Sequence, residues 1–129
     1  MKNAVCLAVP FLIAINSCAT APKYDRKDCS LYTGIDAVRV NPAGALDRHL
    51  RVEAAFRVCP PDIGLDEIKR KRIELKHHLV ALLSSTTTTQ LEDPLRVERL
   101  RQALLVMVNE KVMKKGRVID VLVTAFELE

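Results

Sequence analysis

The stretch HLRVEAAFRV, residues 49–58, decides the fold. Leu50, Val52, Ala54, Phe56 and Val58 alternate with Arg51, Glu53, Ala55 and Arg57, so one face is apolar and the other mostly charged. Successive side chains of a strand point to opposite faces, and this period of two predicts a half-buried β-strand. Upstream, residues 35–40 are a second β-prone run, and NPAGALD at 41–47 supplies the turn residues of a hairpin. If Val38 and Val40 share the buried face with Leu50 and Val52, the numbers of paired residues add to an even value near 88 or 90.

Downstream, Pro60 and Pro61 end the strand, because neither donates to a ladder. A helix is predicted from about Gly64 to Ser84, with Asp66 and Glu67 in its first turn, where negative charge suits the helix dipole. Leu65, Ile68, Leu75, Leu79 and Leu82 form its apolar stripe, widened by Ile73, Val80 and Leu83. Residues 85–91 read as a polar loop, within which Thr86 to Thr89 are expected to be exposed. Asp93-Pro94 then reads as an N-cap followed by proline at the first helical position.

The second helix is expected to bury Val97, Leu100, Leu104, Met107, Val108 and Val112, and to stop at Gly116 after Lys114 and Lys115. In residues 117–128 both parities are apolar, with Val118, Leu122, Phe126 and Leu128 on one face and Ile119, Val121, Val123 and Ala125 on the other. Such a strand is covered on both faces or lies at a partner interface. The expected fold is a single small α+β domain in the order β-β-α-α-β.

At the other end of the chain, the apolar run of residues 4–15 follows a single positive charge, Lys2, and is twelve residues long with Pro10 inside it. A bilayer span needs about 20 apolar residues, so the run reads as a secretory signal. Two cleavage sites compete. Ala19-Thr20-Ala21 suits an ordinary signal peptidase but is followed by Pro22, whereas Ile15-Asn16-Ser17-Cys18 resembles a bacterial lipobox. The second is favoured, making Cys18 the lipid-attachment residue, residues 1–17 a lipoprotein signal peptide, 18–33 a tether and 34–129 the domain. Ala19 in place of an aspartate after Cys18 leans the address towards the outer rather than the inner membrane.

Removing residues 1–17 of the 129 leaves 112, enough for one domain with its own core. The formal charge falls from +4 to +3 with the loss of Lys2, too mild to argue for a partner, and the compartment leaves no nucleic acid to bind. With Cys6 removed and Cys18 acylated, Cys29 and Cys59 are the remaining thiols, in an oxidising compartment. Their numbers add to 88, the hairpin's own register, provided the first strand or an extension of it reaches back that far. A disulfide closing this loop would contribute about 3–4 kcal/mol in the chain-entropy model; the alternative is two free thiols.

No catalytic constellation, cofactor motif or metal-ligand spacing is present in the sequence. His77 and His78 are adjacent, so on a helix they point about 100° apart and make no two-ligand face, and His49 begins a strand. The basic run of residues 69–72 is matched by acids, Asp66 with Arg70 and Glu67 with Lys71 at i,i+4, and reads first as a solvated helix face. A docking surface for phospholipid head groups or an acidic partner is the second reading. A thiol enzyme using Cys29 or Cys59 lacks an activating histidine at a recognisable spacing.

Taken together, residues 79–129 resemble the C-terminal half of the flagellar basal-body-associated FliL family. The resemblance rests on Leu82-Leu83-Ser84-Ser85, Leu91, Asn109, Gly116, and Val118, Asp120, Val121 and Phe126. Upstream, Val38-Arg39-Val40-Asn41-Pro42 and His49-Leu50-Arg51-Val52 look like that family's first two strands. The chain departs from the family in carrying a lipobox where members usually keep a membrane-spanning helix, and in lacking the glycine common near the start of the second helix.

What the resemblance implies is a periplasm-facing, non-enzymatic domain similar to the stomatin/prohibitin type, with flagellar stator or basal-body proteins as partners and a role in motility. It also implies a homo-oligomeric ring, in which the strand face of Ile119, Val121 and Val123 would meet a neighbour. The alternative is an envelope lipoprotein that reuses the same domain outside the flagellum.

Overall fold

The computed structural model describes residues 28–129, so the expectations placed on residues 1–27, Cys18 among them, lie outside it. The chain runs β1 (Ser30–Tyr32), β2 (Val38–Val40), β3 (Leu50–Cys59), α1 (Ile63–Arg70), α2 (Arg72–Ser84), α3 (Thr88–Leu91), α4 (Arg96–Lys111) and β4 (Arg117–Leu128). This is a small α+β domain with one four-stranded antiparallel sheet. β3 is its spine, flanked on one side by β2 and β1 placed end to end and on the other by β4 along its whole length.

The hairpin register holds: Val38 pairs with Val52 and Val40 with Leu50, numbers that add to 90. Asn41 secures the turn by donating to the carbonyls of Leu46 and Arg48. Gly44 sits there at φ 77°, a left-handed conformation that costs glycine little.

Beyond Val52 the three-residue β2 no longer reaches, and β1 takes over from Phe56, with Tyr32 opposite Phe56 and Ser30 opposite Val58, numbers that add to 88. Residues 30–33, expected to end the tether, are therefore largely strand, and Tyr32 is buried. The physical reason is the length of β3: ten residues leave backbone groups at its Cys59 end that a three-residue partner cannot satisfy. Cys29 continues β1 and lies against Cys59 with a Cα–Cα distance of 4.5 Å and the sulfurs bridged.

All the helices pack on one face of the sheet. Leu50, Val52, Phe56 and Val58 of β3 form a single core with Ile68 of α1, Leu75, Leu79 and Leu83 of α2, and Leu100, Leu104 and Val108 of α4. Full burial of side chains this size contributes roughly 1.5–3 kcal/mol each. Three residues expected inside are outside: Ile73 is 80% exposed, Val97, in the first turn of α4, 40%, and Val80 38%.

The long first helix is broken at Lys71 (φ −101°, ψ 22°). The break lets α1 cover the β1 end of the sheet while α2 turns to cover β2. Part of the expected polar loop is the short helix α3, whose Thr87 and Gln90 form a capping box. Its Leu91 is buried. Asp93 accepts from the Leu95 N–H, and α4 begins only at Arg96, so the Asp93-Pro94 signal marks the preceding turn rather than the helix start.

β4 departs most from its expected reading. Its register against β3 slips twice, leaving Thr124 and Ile119 as extra residues. Each bulge reverses the alternation. Leu128 and Phe126, then Val123 and Val121, then Val118 all turn towards the helices and the core. The two apolar parities of the sequence thus serve one face.

Candidate functional site

Glu67 was expected on a solvated helix face, paired with Lys71. In the fold it is 1% exposed. Helix α4 ends at Lys111, and the turn that follows presents N–H groups without helical acceptors. One oxygen of the Glu67 carboxylate accepts from Gly116 N–H (2.7 Å) and Lys115 N–H (2.9 Å), the other from Lys114 N–H (2.7 Å) and Lys71 Nζ (2.9 Å). Lys71 Nζ also donates to the Val112 carbonyl at 2.9 Å, so one ion pair satisfies both the donors and an acceptor of the α4–β4 turn.

Burial works against ionisation of Glu67. It is outweighed by the Gly116 N–H, the Lys71 ammonium and the Lys115 and Lys114 N–H groups, which hold the carboxyl down at about 2. A carboxylate so engaged neither gives nor takes a proton near neutrality.

Two glycines allow this junction to close. A Cβ on Gly116 would sit 2.6 Å from Gly64 Cα and 3.0 Å from the Cys59 carbonyl oxygen, and one on Gly64 would sit 2.8 Å from that same oxygen. Backbone meets backbone here, so neither neighbour can move aside cheaply. The glycine turn was expected as a helix C-cap; its role is close approach, and α4 has already ended five residues earlier. The Cys29–Cys59 bridge and the cis Cys59-Pro60 peptide lie at the same corner.

Asn109 ties α4 to the outer edge of β4. Its amide donates to the Val118 carbonyl (2.8 Å) and accepts from the Val118 N–H (2.9 Å), the pair of bonds that a neighbouring strand would make. Nearby, Asp120 accepts from its own strand's Val121 N–H and from Arg101, which also holds Glu98. Hydrogen bonds from Arg101 and Gln102 bring the exposed Glu98 carboxyl down to about 2. Of the residues that carried the family resemblance, Leu83, Leu91, Val118 and Val121 are core, while Asn109, Gly116 and Asp120 are junction residues.

The basic run does not form one patch. Arg70 pairs with Asp66, Lys71 is consumed at the Glu67 junction, and Lys69 is exposed. His77 and His78 meet edge to face at 5.2 Å, and His49 faces the Asn41 amide. Among the described residues no group of three His, Cys, Asp or Glu is placed to hold a metal ion, and no helix is long and apolar enough to cross a membrane. The interface face expected from Ile119, Val121 and Val123 is split by the bulges: Val121 is fully buried and Val123 packs on the core, which leaves Ile119 outward beside Leu122.

Sequence reasoning missed Glu67. Its i,i+4 relation to Lys71 is legible, but nothing local tells that a turn 47 residues later closes over it.

The buried charges of this domain stitch backbone segments together, which defines a small α+β scaffold domain. Its chain belongs to the flagellar basal body-associated protein FliL family, which it matches over residues 32–127. That membership associates it with the flagellar basal body. Comparison with individual curated proteins gives no match.

Proposed function

We propose that the chain is a non-enzymatic, lipid-anchored FliL-family protein that faces the periplasm, associates with the stator or motor of the flagellar basal body and supports motility. The observation that carries this reading is the family match over residues 32–127, nearly the whole of the folded domain. For the anchor, Ile15-Asn16-Ser17-Cys18 supplies the lipobox and Cys18 the acylated residue. The tether then runs from Cys18 to β1 and spans at most roughly 40 Å, so the domain works close to its membrane, with the outer membrane slightly favoured. A non-enzymatic role is in keeping with Glu67, the one carboxylate nearly fully buried among the described residues, whose lone pairs are all engaged.

In the oxidising periplasm the Cys29–Cys59 bridge is expected to persist. A mass two hydrogens below the reduced value supports it, and complete alkylation without reductant removes it. Self-association into a ring would use the open outer side of β4 beyond Val118, where Ile119 and Leu122 are half-buried. A strict monomer in sedimentation at high concentration counts against that arrangement.

The test of the whole reading is labelled palmitate together with crosslinking in intact cells. Label on the wild type but not on Cys18→Ser, with stator or basal-body proteins recovered, carries it; equal labelling of both ends the anchor. A second reading, the same domain serving another envelope complex, is favoured by the lipobox in place of the family's usual membrane-spanning helix. Recovery of other envelope proteins alone would select it.

A further inference from the structure

Helices α2 and α4 pack together over only part of their length and leave a cleft on the side away from the sheet. Ala81 and Leu82 of α2 and Ala103 and Val106 of α4 line it. Past Leu82 and Ala103 the same cleft continues to Leu91 and Phe126, with Arg96 and Arg99 at its mouth. Val106, 53% exposed, carries the apolar floor of the cleft out onto the open surface of α4. A lone exposed apolar residue is ordinary, but one that continues a concave apolar floor marks a binding surface.

The charge at the mouth is one-sided. Arg99 is paired with Asp93, whose charge also acts on Arg96, so one carboxylate answers two guanidiniums; Arg96 lies over the Phe126 ring at 5.7 Å. Its one side-chain hydrogen bond is to the Asp93 carbonyl. A guanidinium placed over an aromatic ring and hydrogen-bonded through one nitrogen keeps donors free for a further carboxylate.

We infer that the α2–α4 cleft receives an amphipathic α-helix of another protein, apolar along one face and bearing carboxylates at the end that meets Arg96. The small side chains of Ala81 and Ala103 let a third helix approach closely, as ridge into groove. The sixteen residues of α4 set the length of the occupant, about 24 Å or about 16 residues. A second copy of this chain fits poorly. Ile73 and Val80 of α2 are flanked by Arg72 and Lys76 and would bring cations to a cationic mouth, and the acids beside exposed Ile63 of α1, Asp62 and Asp66, are already engaged by the Ile63 N–H and Arg70. The inference concerns which surface docks, and it holds whether or not the partner belongs to the motor.

The experiment places a photo-crosslinking amino acid at Val106 of the full chain in intact cells, with Leu46, 86% exposed on the hairpin turn, as the control position. The expected result is an adduct at Val106 but not at Leu46, with its attachment points on another protein spaced three or four residues apart in an acidic amphipathic segment. Arg96→Glu should lower its yield about fivefold while the unfolding midpoint stays put. No excess over Leu46, an adduct with a second copy or with lipid, or a yield indifferent to Arg96→Glu would each overturn the inference. If the adduct behaves as expected but the partner is not a flagellar protein, the cleft stands and the motor role falls.

Discussion

At the Glu67 corner a carboxylate that is 1% exposed accepts from three backbone N–H groups and an ammonium, and two glycines let backbone touch backbone. At the α2–α4 cleft, Val106 is half exposed, and Arg96, over the Phe126 ring, shares the single Asp93 carboxylate with Arg99. Helix α4 borders both regions. In the corner every strong donor and acceptor is answered within the chain, so it holds geometry; in the cleft apolar area and positive charge are left unanswered. The corner fixes the geometry of the domain, and the cleft presents its open surface.

The largest expected effect comes from taking the corner apart. Glu67→Ala strands the turn's N–H groups and leaves the Lys71 ammonium without its anion, for a loss of about 4 kcal/mol in urea unfolding. Glu67→Gln, whose amide NH2 would face donors in place of one carboxylate oxygen, should lose about 3 kcal/mol of that. A loss below about 1 kcal/mol for the alanine variant would show that the corner does not hold the fold.

Acid probes the same group without mutation. The folded pKa of Glu67 lies below its unfolded value, so its contribution is fully present above about 4.5 and drains away as the pH falls towards about 2. Its size is roughly 3 kcal/mol. Stability curves of the wild type and Glu67→Gln should converge by that amount as the pH is lowered, and parallel curves would assign the acid sensitivity elsewhere.

Next in size is Gly116→Ala, expected to cost about 2–3 kcal/mol because the new Cβ falls 2.6 Å from Gly64 Cα. Gly44→Ala has open space but a positive φ, and about 1 kcal/mol is expected there from backbone strain alone. Equal costs at the two positions would mean that steric closure of the corner is not the cause.

Asn109→Leu should cost about 2 kcal/mol and quicken amide exchange at Val118, whose N–H loses its acceptor. At the open end, Val106→Ser should move the unfolding free energy by less than about 0.5 kcal/mol. A Val106→Ser loss as large as that of Asn109→Leu would erase the distinction between the corner and the cleft.

Much of the framework was legible in the order of residues. The alternation of residues 49–58, the hairpin register through Val38, Val40, Leu50 and Val52, and both helical stripes depend on local periodicity, which the backbone expresses wherever one face is buried. The α3 capping box was also open to reading, in Thr87 and Gln90 three residues apart, and was hidden by the polarity around it. Asn109, Gly116 and Asp120 stood out by pattern, but their tasks did not.

Those tasks were decided by tertiary structure. The bulges at Ile119 and Thr124 fold two apolar parities onto one face, an outcome that depends on how β4 meets β3 and not on β4 alone. Glu67 looks like any i,i+4 ion-pair residue until the α4–β4 turn brings its N–H groups over it. Strand β1 exists because β3 outruns β2. Periodicity tells which residues face inward, since it needs only the chain's own geometry; which polar group answers which depends on distances between segments far apart in sequence, and these exist only once the chain has folded.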